Sequence, residues 1–135
     1  MPYEILEHTA DLRMRVAGKT KEDFFSAALE GMMRVLAEKP PKFFEKKLRQ
    51  VKIESPDLTS LLIDFLNEAL SLAYINKEIY IKAVFKKLSE TILEAELEGA
   101  AIDGFDEDIK AATYHEASAA QNEKGEWETV IIFDI

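Results

Sequence analysis

The chain has 135 residues, no cysteine and a net charge of -9 at pH 7. That length is one domain with one core, and the lack of cysteine excludes disulfides, thiolate metal sites and cysteine nucleophiles and fits a reducing cytoplasm. Affinity for nucleic acid comes mostly from Lys and Arg, so this acidity disfavours direct tight RNA or DNA binding and points to a basic protein or a cation as partner. The N-terminus lacks the basic and apolar regions of a signal peptide, and no apolar run is read as a membrane span, so no membrane partner is expected.

In chain order, Tyr3 to Leu6 reads as a short edge strand and is followed by the compact polar run His8-Thr9-Ala10-Asp11. Leu12, Met14 and Val16 alternate with Arg13 and Arg15, which predicts a strand that Gly18 ends. Thr20 is placed to cap a helix whose apolar residues, Phe24 to Leu36, recur at helical spacing, and Pro40-Pro41 stops it. A lysine-rich run leads to a strand at Val51 and Ile53. The stretch Asp57 to Tyr74 is the strongest element, because Leu58, Leu61, Leu62, Phe65, Leu66, Ala69, Leu72 and Ala73 fall on one broad helical face. Ser55 is read as its N-cap and Pro56 as its first helical position. Four strands follow: Ile79 to Leu88, Thr91 to Glu98 closed by Gly99, Ile109 to Ala120, and Trp127 to Asp134 after a turn at Gly125. The order predicts a single α+β domain over residues 1–135, with one mixed or antiparallel sheet and two amphipathic helices packed on one face.

The acidic run Asp103-Gly104-Phe105-Asp106-Glu107-Asp108 fails as a calcium-binding EF-hand loop. Phe105 stands at the third position and Asp108 at the sixth, where an oxygen ligand and glycine are required. It reads as a solvated turn. His8 and His115 lack the further ligands of a zinc site, and there is no phosphate-binding glycine loop or serine elbow. Asp11 and Asp134 differ from these, since each is a carboxylate at the end of an apolar strand pattern, and Asp134 is followed by the α-carboxylate of Ile135. Carboxylates gathered at one point repel unless a cation sits among them, and oxygen-only ligands suit calcium or magnesium. A turn cap beside an exposed end is the simpler reading, and spacing alone does not bring Asp11 to Asp134.

Four segments together resemble the archease family. They are Glu7-His8-Thr9-Ala10-Asp11; the helix motif Asp57-Leu58, Leu61-Leu62 and Phe65-Leu66-Asn67-Glu68; Ile109-Lys110-Ala111-Ala112-Thr113-Tyr114-His115; and Trp127 with Phe133-Asp134-Ile135. Phe65 stands where the family commonly has tryptophan, and Ala112 where it often has valine. The resemblance implies an accessory protein rather than an enzyme. Its partner would be the GTP-dependent RNA ligase that joins tRNA exons, whose guanylylation and multiple turnover it promotes and whose nucleotide choice it can widen. The resemblance also implies a divalent site, usually calcium, on Asp11, Asp134 and Ile135, and a role in activation for Lys110; it leaves His8 and His115 open between neighbours of that site and locally hydrogen-bonded histidines. A general chaperone or modulator of DNA- and RNA-processing proteins, and a small metal-dependent hydrolase acting through Asp11 and Asp134, are the alternatives.

Overall fold

The computed structural model of the chain describes residues 2–6 and 11–135. Its elements are β1 (Tyr3–Leu6), β2 (Leu12–Gly18), α1 (Lys21–Leu36), β3 (Lys47–Glu54), α2 (Leu58–Asn76), β4 (Glu78–Leu88), β5 (Ile92–Ala101), β6 (Ala111–Thr113), β7 (Ala120–Gln121) and β8 (Trp127–Asp134). The class is α+β with two helices, as expected. The strands divide over two antiparallel sheets, however, instead of forming one. A five-stranded sheet runs β1-β2-β8-β6 with β7 also on β8, and a three-stranded sheet runs β3-β5-β4. The reason lies in the breadth of the apolar helix faces. α1 packs on β2 and on β4, and α2 on β3, β4 and β6, so each helix is shared between the two sheets. One flat sheet would leave part of that surface in water.

α2 is long and apolar enough to cross a membrane by length and composition, with a mean hydropathy of 1.3, which the reading of apolar runs missed. Half of that window is buried inside the fold, and Leu61, Leu62, Ile63, Phe65, Leu66, Ala69 and Ala73 are fully enclosed. Each large side chain buried this way stabilises the fold by about 2 kcal/mol. Its cap is Asp57, not Ser55: the Asp57 carboxylate accepts the Ser60 N–H at 2.7 Å, three residues on, and the helix begins at Leu58. Ser55 is buried and donates its hydroxyl to Asp64 at 2.6 Å. Thr20 caps α1 as expected, accepting the Asp23 N–H at 3.0 Å.

Phe25 of α1, Phe65 of α2 and Phe85 of β4 form a triangle of rings with centroids 5.8–6.3 Å apart, which ties both helices to the three-stranded sheet. At the other end of that sheet Arg49 forks onto Glu78 at 2.9 and 2.7 Å, and the Tyr80 hydroxyl donates to the same carboxylate at 2.9 Å. The Arg49 hydrogen bonds hold Glu78 below the usual 4.5 although burial opposes this. Burial pushes Tyr80 up to about 12, so it remains a donor. Gly99, expected to close β5, lies inside it. A Cβ there would stand 2.3 Å from the Ile79 carbonyl oxygen and 2.7 Å from the Tyr80 ring, so the close approach of β4 requires glycine. The lysines that blur the alternation of β4 mark two register shifts, at Tyr80/Lys82 and Phe85/Lys87.

The expected strand Ile109 to Ala120 is interrupted. Between the Thr113–Ile132 and Ala120–Glu128 pairs, β8 advances four residues while the edge advances seven. The extra chain is a turn in which Ala117 N–H donates to the Tyr114 carbonyl and Glu116 takes φ 60°. Side chains hold the next two amides: Thr129 accepts Ser118 N–H and Thr59 accepts Ala119 N–H. The acidic run 103–108 is exposed but not merely solvated. Asp106 accepts Glu38 N–H at 2.9 Å and donates its own N–H to the Leu36 carbonyl, closing the end of α1.

Two outcomes are predicted. Asp57→Ala should lower stability by about 1 kcal/mol through loss of the cap, read as a drop of roughly 3 °C in the thermal midpoint. Glu78→Gln should be less stable than the parent at neutral pH. The depressed Glu78 contributes stability above its unfolded value of 4.5 and loses it as pH falls through the folded value. The gap between the two proteins in thermal melts should therefore close on acidification; a constant gap would remove this role from Glu78.

Candidate functional site at the end of the last strand

β8 is flanked by β2 on one side and by β6 and β7 on the other. Leu12, the first residue of β2, pairs with Phe133, so the chain just before β2, which carries Asp11, lies at the same end of the sheet as Asp134. On the other side Ala111 pairs with Asp134, and Lys110 N–H donates to the Asp134 carbonyl at 2.7 Å. Asp11, Lys110, Asp134 and Ile135 therefore lie at the same end of the five-stranded sheet, although they come from three distant parts of the chain. Asp11 is half-buried, and Lys110, Asp134 and Ile135 are exposed.

The oxygen-only donors here, two side-chain carboxylates and an oxygen of Ile135, fit a hard divalent cation that keeps several waters. Among the described residues no three His, Cys, Asp or Glu side chains gather where they could hold a metal. His8 lies outside the described residues. His115 is exposed in the turn after Tyr114, separated from Lys110 by the length of β6. Lys110 stands one residue before β6, outside the strand. β6 spans only Ala111–Thr113, with Ala112 buried and both outer residues half-buried.

Sequence reasoning missed how this segment is held. Asp64, Asn67 and Tyr74 lie on one polar strip of α2, and each grips the chain between Asp108 and Tyr114. Asn67 Nδ2 donates to the Ala112 carbonyl at 2.9 Å while its Oδ1 accepts Ala112 N–H at 2.8 Å. The Tyr74 hydroxyl accepts Ile109 N–H at 2.8 Å and lies 2.9 Å from the Asp108 carboxylate. Burial raises the Tyr74 pKa, which keeps the hydroxyl protonated. The Phe105 ring packs edge-on against Tyr74 at 4.9 Å. Tyr114 donates its hydroxyl to Asp64, and that bond holds the Tyr114 pKa above the usual value of 10. The signal for this clamp was three polar residues aligned on one strip of a largely apolar helix; their partners, up to 50 positions away, were not readable.

On the outward face, Arg13 reaches from β2 to Glu116 in the register-shifting turn. Arg13 pairs with Ile132, which pairs in turn with Thr113, so this ion pair spans β8 and explains why outward-facing Ile132 is 4% exposed.

The sequence matches the model of the Archease protein family (MTH1598/TM1083) over residues 3–135. It is 31% identical to the protein archease of Methanosarcina barkeri over 141 aligned residues, covering 98% of this chain and 95% of that one. It is also 31% identical to the protein archease of Pyrococcus abyssi, covering 98% of each. In fold it is similar to the solution structure of Methanobacterium thermoautotrophicum protein 1598, with a TM-score of 0.69 at 21% identity over 99% of both chains. It is likewise similar to a Thermotoga maritima crystal structure described as an archease and possible chaperone, with a TM-score of 0.66 at 19% identity over 96% of this chain and 94% of that one. With a family match over nearly its full length and curated relatives at 31% identity across it, the chain belongs to the archease family.

Proposed function

We propose that this chain is a cytoplasmic accessory protein that activates the GTP-dependent RNA ligase of tRNA splicing. It promotes guanylylation of the ligase and its multiple turnover, and widens the ligase's nucleotide choice. Asp11, Asp134 and an oxygen of Ile135 hold a divalent cation, calcium before magnesium, and Lys110 acts beside it. The observation that supports this reading is that Lys110 N–H binds the Asp134 carbonyl at the end of β8 beside the start of β2, which Asp11 precedes. A cation there would neutralise charge on a nucleotide triphosphate. The chain's own part is to hold Asp134 between β2 and β6, and to present Lys110 to the partner from a backbone hydrogen-bonded to that same residue. A protein of charge -9 is steered towards a basic RNA-binding surface without gripping RNA itself.

The chaperone reading has an observation of its own. Phe43 is 95% exposed, and Phe44, Leu48 and Ile81 are also uncovered near the start of β3. It predicts suppression of aggregation of unrelated proteins, whereas the activator reading predicts an effect confined to the ligase.

Adding the protein to its ligase with RNA ends and GTP should convert a single round of joining into many. Nucleotide hydrolysis by the protein alone would instead favour a metal-dependent hydrolase. Calorimetric calcium titration should show one site that Asp11→Ala and Asp134→Ala each weaken by tenfold or more, on the order of the effect of losing a ligating carboxylate. Circular dichroism should stay unchanged in both. Equal calcium affinity in all three proteins would place any ion elsewhere. Lys110→Ala should retain the fold and the calcium site while lowering ligase turnover.

A further inference from the structure

β6 is the outermost strand of its sheet at Ala112, and an edge strand ordinarily leaves backbone N–H and C=O groups to water or to another chain. Here one side chain takes their place. The amide of Asn67 accepts the Ala112 N–H and donates to its carbonyl at 2.8 and 2.9 Å, as a neighbouring strand would. Lys110 lies two residues away, between this anchor and the Ile109 N–H held at 2.8 Å by the Tyr74 hydroxyl. Its own N–H is bound to the Asp134 carbonyl at 2.7 Å. The main chain on both sides of Lys110 is thus fixed by two side chains of the enclosed helix α2. Both are on a rigid element, and Asn67 is at once donor and acceptor, so its pairing sets position as well as distance along the strand.

We infer that Asn67, assisted by Tyr74, is a positioning residue for Lys110: it sets the place from which Lys110 meets the partner, without touching the partner itself. This rests on the ligase-activator reading. An alkyl side chain at position 67 would leave the Ala112 N–H and carbonyl without partners and free the 108–113 segment to shift. A displacement of about 1 Å at a reacting group can cost on the order of a hundredfold in rate, so a clear loss of function is expected from a residue remote from the partner.

The test is ligase turnover with Asn67→Ala, Tyr74→Phe, Lys110→Ala and the double variant Asn67→Ala/Lys110→Ala, each at equal folded concentration. Asn67→Ala should lower activation about tenfold, and Tyr74→Phe less, because its ring stays packed on Phe105. The double variant should be no worse than Lys110→Ala alone, since Asn67 acts only through Lys110. A merely structural role would lower the melting temperature without altering turnover per folded molecule, and would overturn the inference. Additive losses in the double variant would overturn it equally. A second readout does not use the ligase. Asn67→Asp accepts from Ala112 N–H but donates to its carbonyl only when protonated. Amide exchange at residues 110–113, corrected for its intrinsic pH dependence, should then be faster than in the parent at pH 7 and approach the parent as pH falls below about 5. Exchange unaffected by either Asn67 variant would show that the anchor does not hold the segment. If the parent itself fails to activate the ligase while exchange responds as described, the activator reading fails and the anchor stands.

Discussion

The enclosure of α2 is the constraint on which the rest of the molecule depends. Its apolar residues occupy more than half of its circumference, so a single layer cannot shield them, and two sheets close around it with α1 filling the remaining side. What is left is a narrow polar strip, and a polar group facing the interior must find a partner. Asp64, Asn67 and Tyr74 find theirs in the backbone and side chains of residues 108–114. The demand for satisfied hydrogen bonds on an otherwise greasy helix therefore becomes the means by which an edge segment is held in place. That edge segment carries Lys110, and the strand beside it carries Asp134.

Local chemistry was legible where the pattern had one interpretation. In β5, Leu93, Ala95 and Leu97 are buried and the glutamates between them partly exposed, as strict alternation requires. The spacing of leucines in α2 and the threonine cap of α1 were equally plain. Ser55 misled because a serine before proline is a good cap by type, yet the Asp57 carboxylate has the shorter reach to a free amide. The run Ile109 to Ala120 misled because alanine and threonine suit a strand, while the turn within it is made by Glu116 in a left-handed conformation that composition does not announce.

The site was half legible. Asp11 and Asp134 stood out as carboxylates ending apolar strands, but their placement at the same end of the sheet depends on β8 inserting between β2 and β6, a pairing of strands more than a hundred residues apart. Short-range pattern carries no information on such a pairing. The clamp escaped for the same reason: Asn67 and Ala112 are each ordinary by type, and only the fold makes one complete the other. The acidic run 103–108 is the converse case, a conspicuous composition whose Asp106 ties down the end of α1.

The place of β8 also bears on how the molecule is made. β3, β4 and β5 lie close in sequence and pair only with one another, so all strands of the three-stranded sheet are present once residue 101 has been synthesised. Those of the five-stranded sheet are not. β1 and β2 emerge first, yet β2 must wait for β8, the last strand of the chain, before its inner edge is covered. Long-range pairings of this kind form slowly, and chains elongate at about 5–20 residues per second. During synthesis the N-terminal hairpin thus spends several seconds with an open edge and α1 only half covered. The arginines of β2, which point away from the helices, help to keep that waiting edge from joining a neighbouring chain.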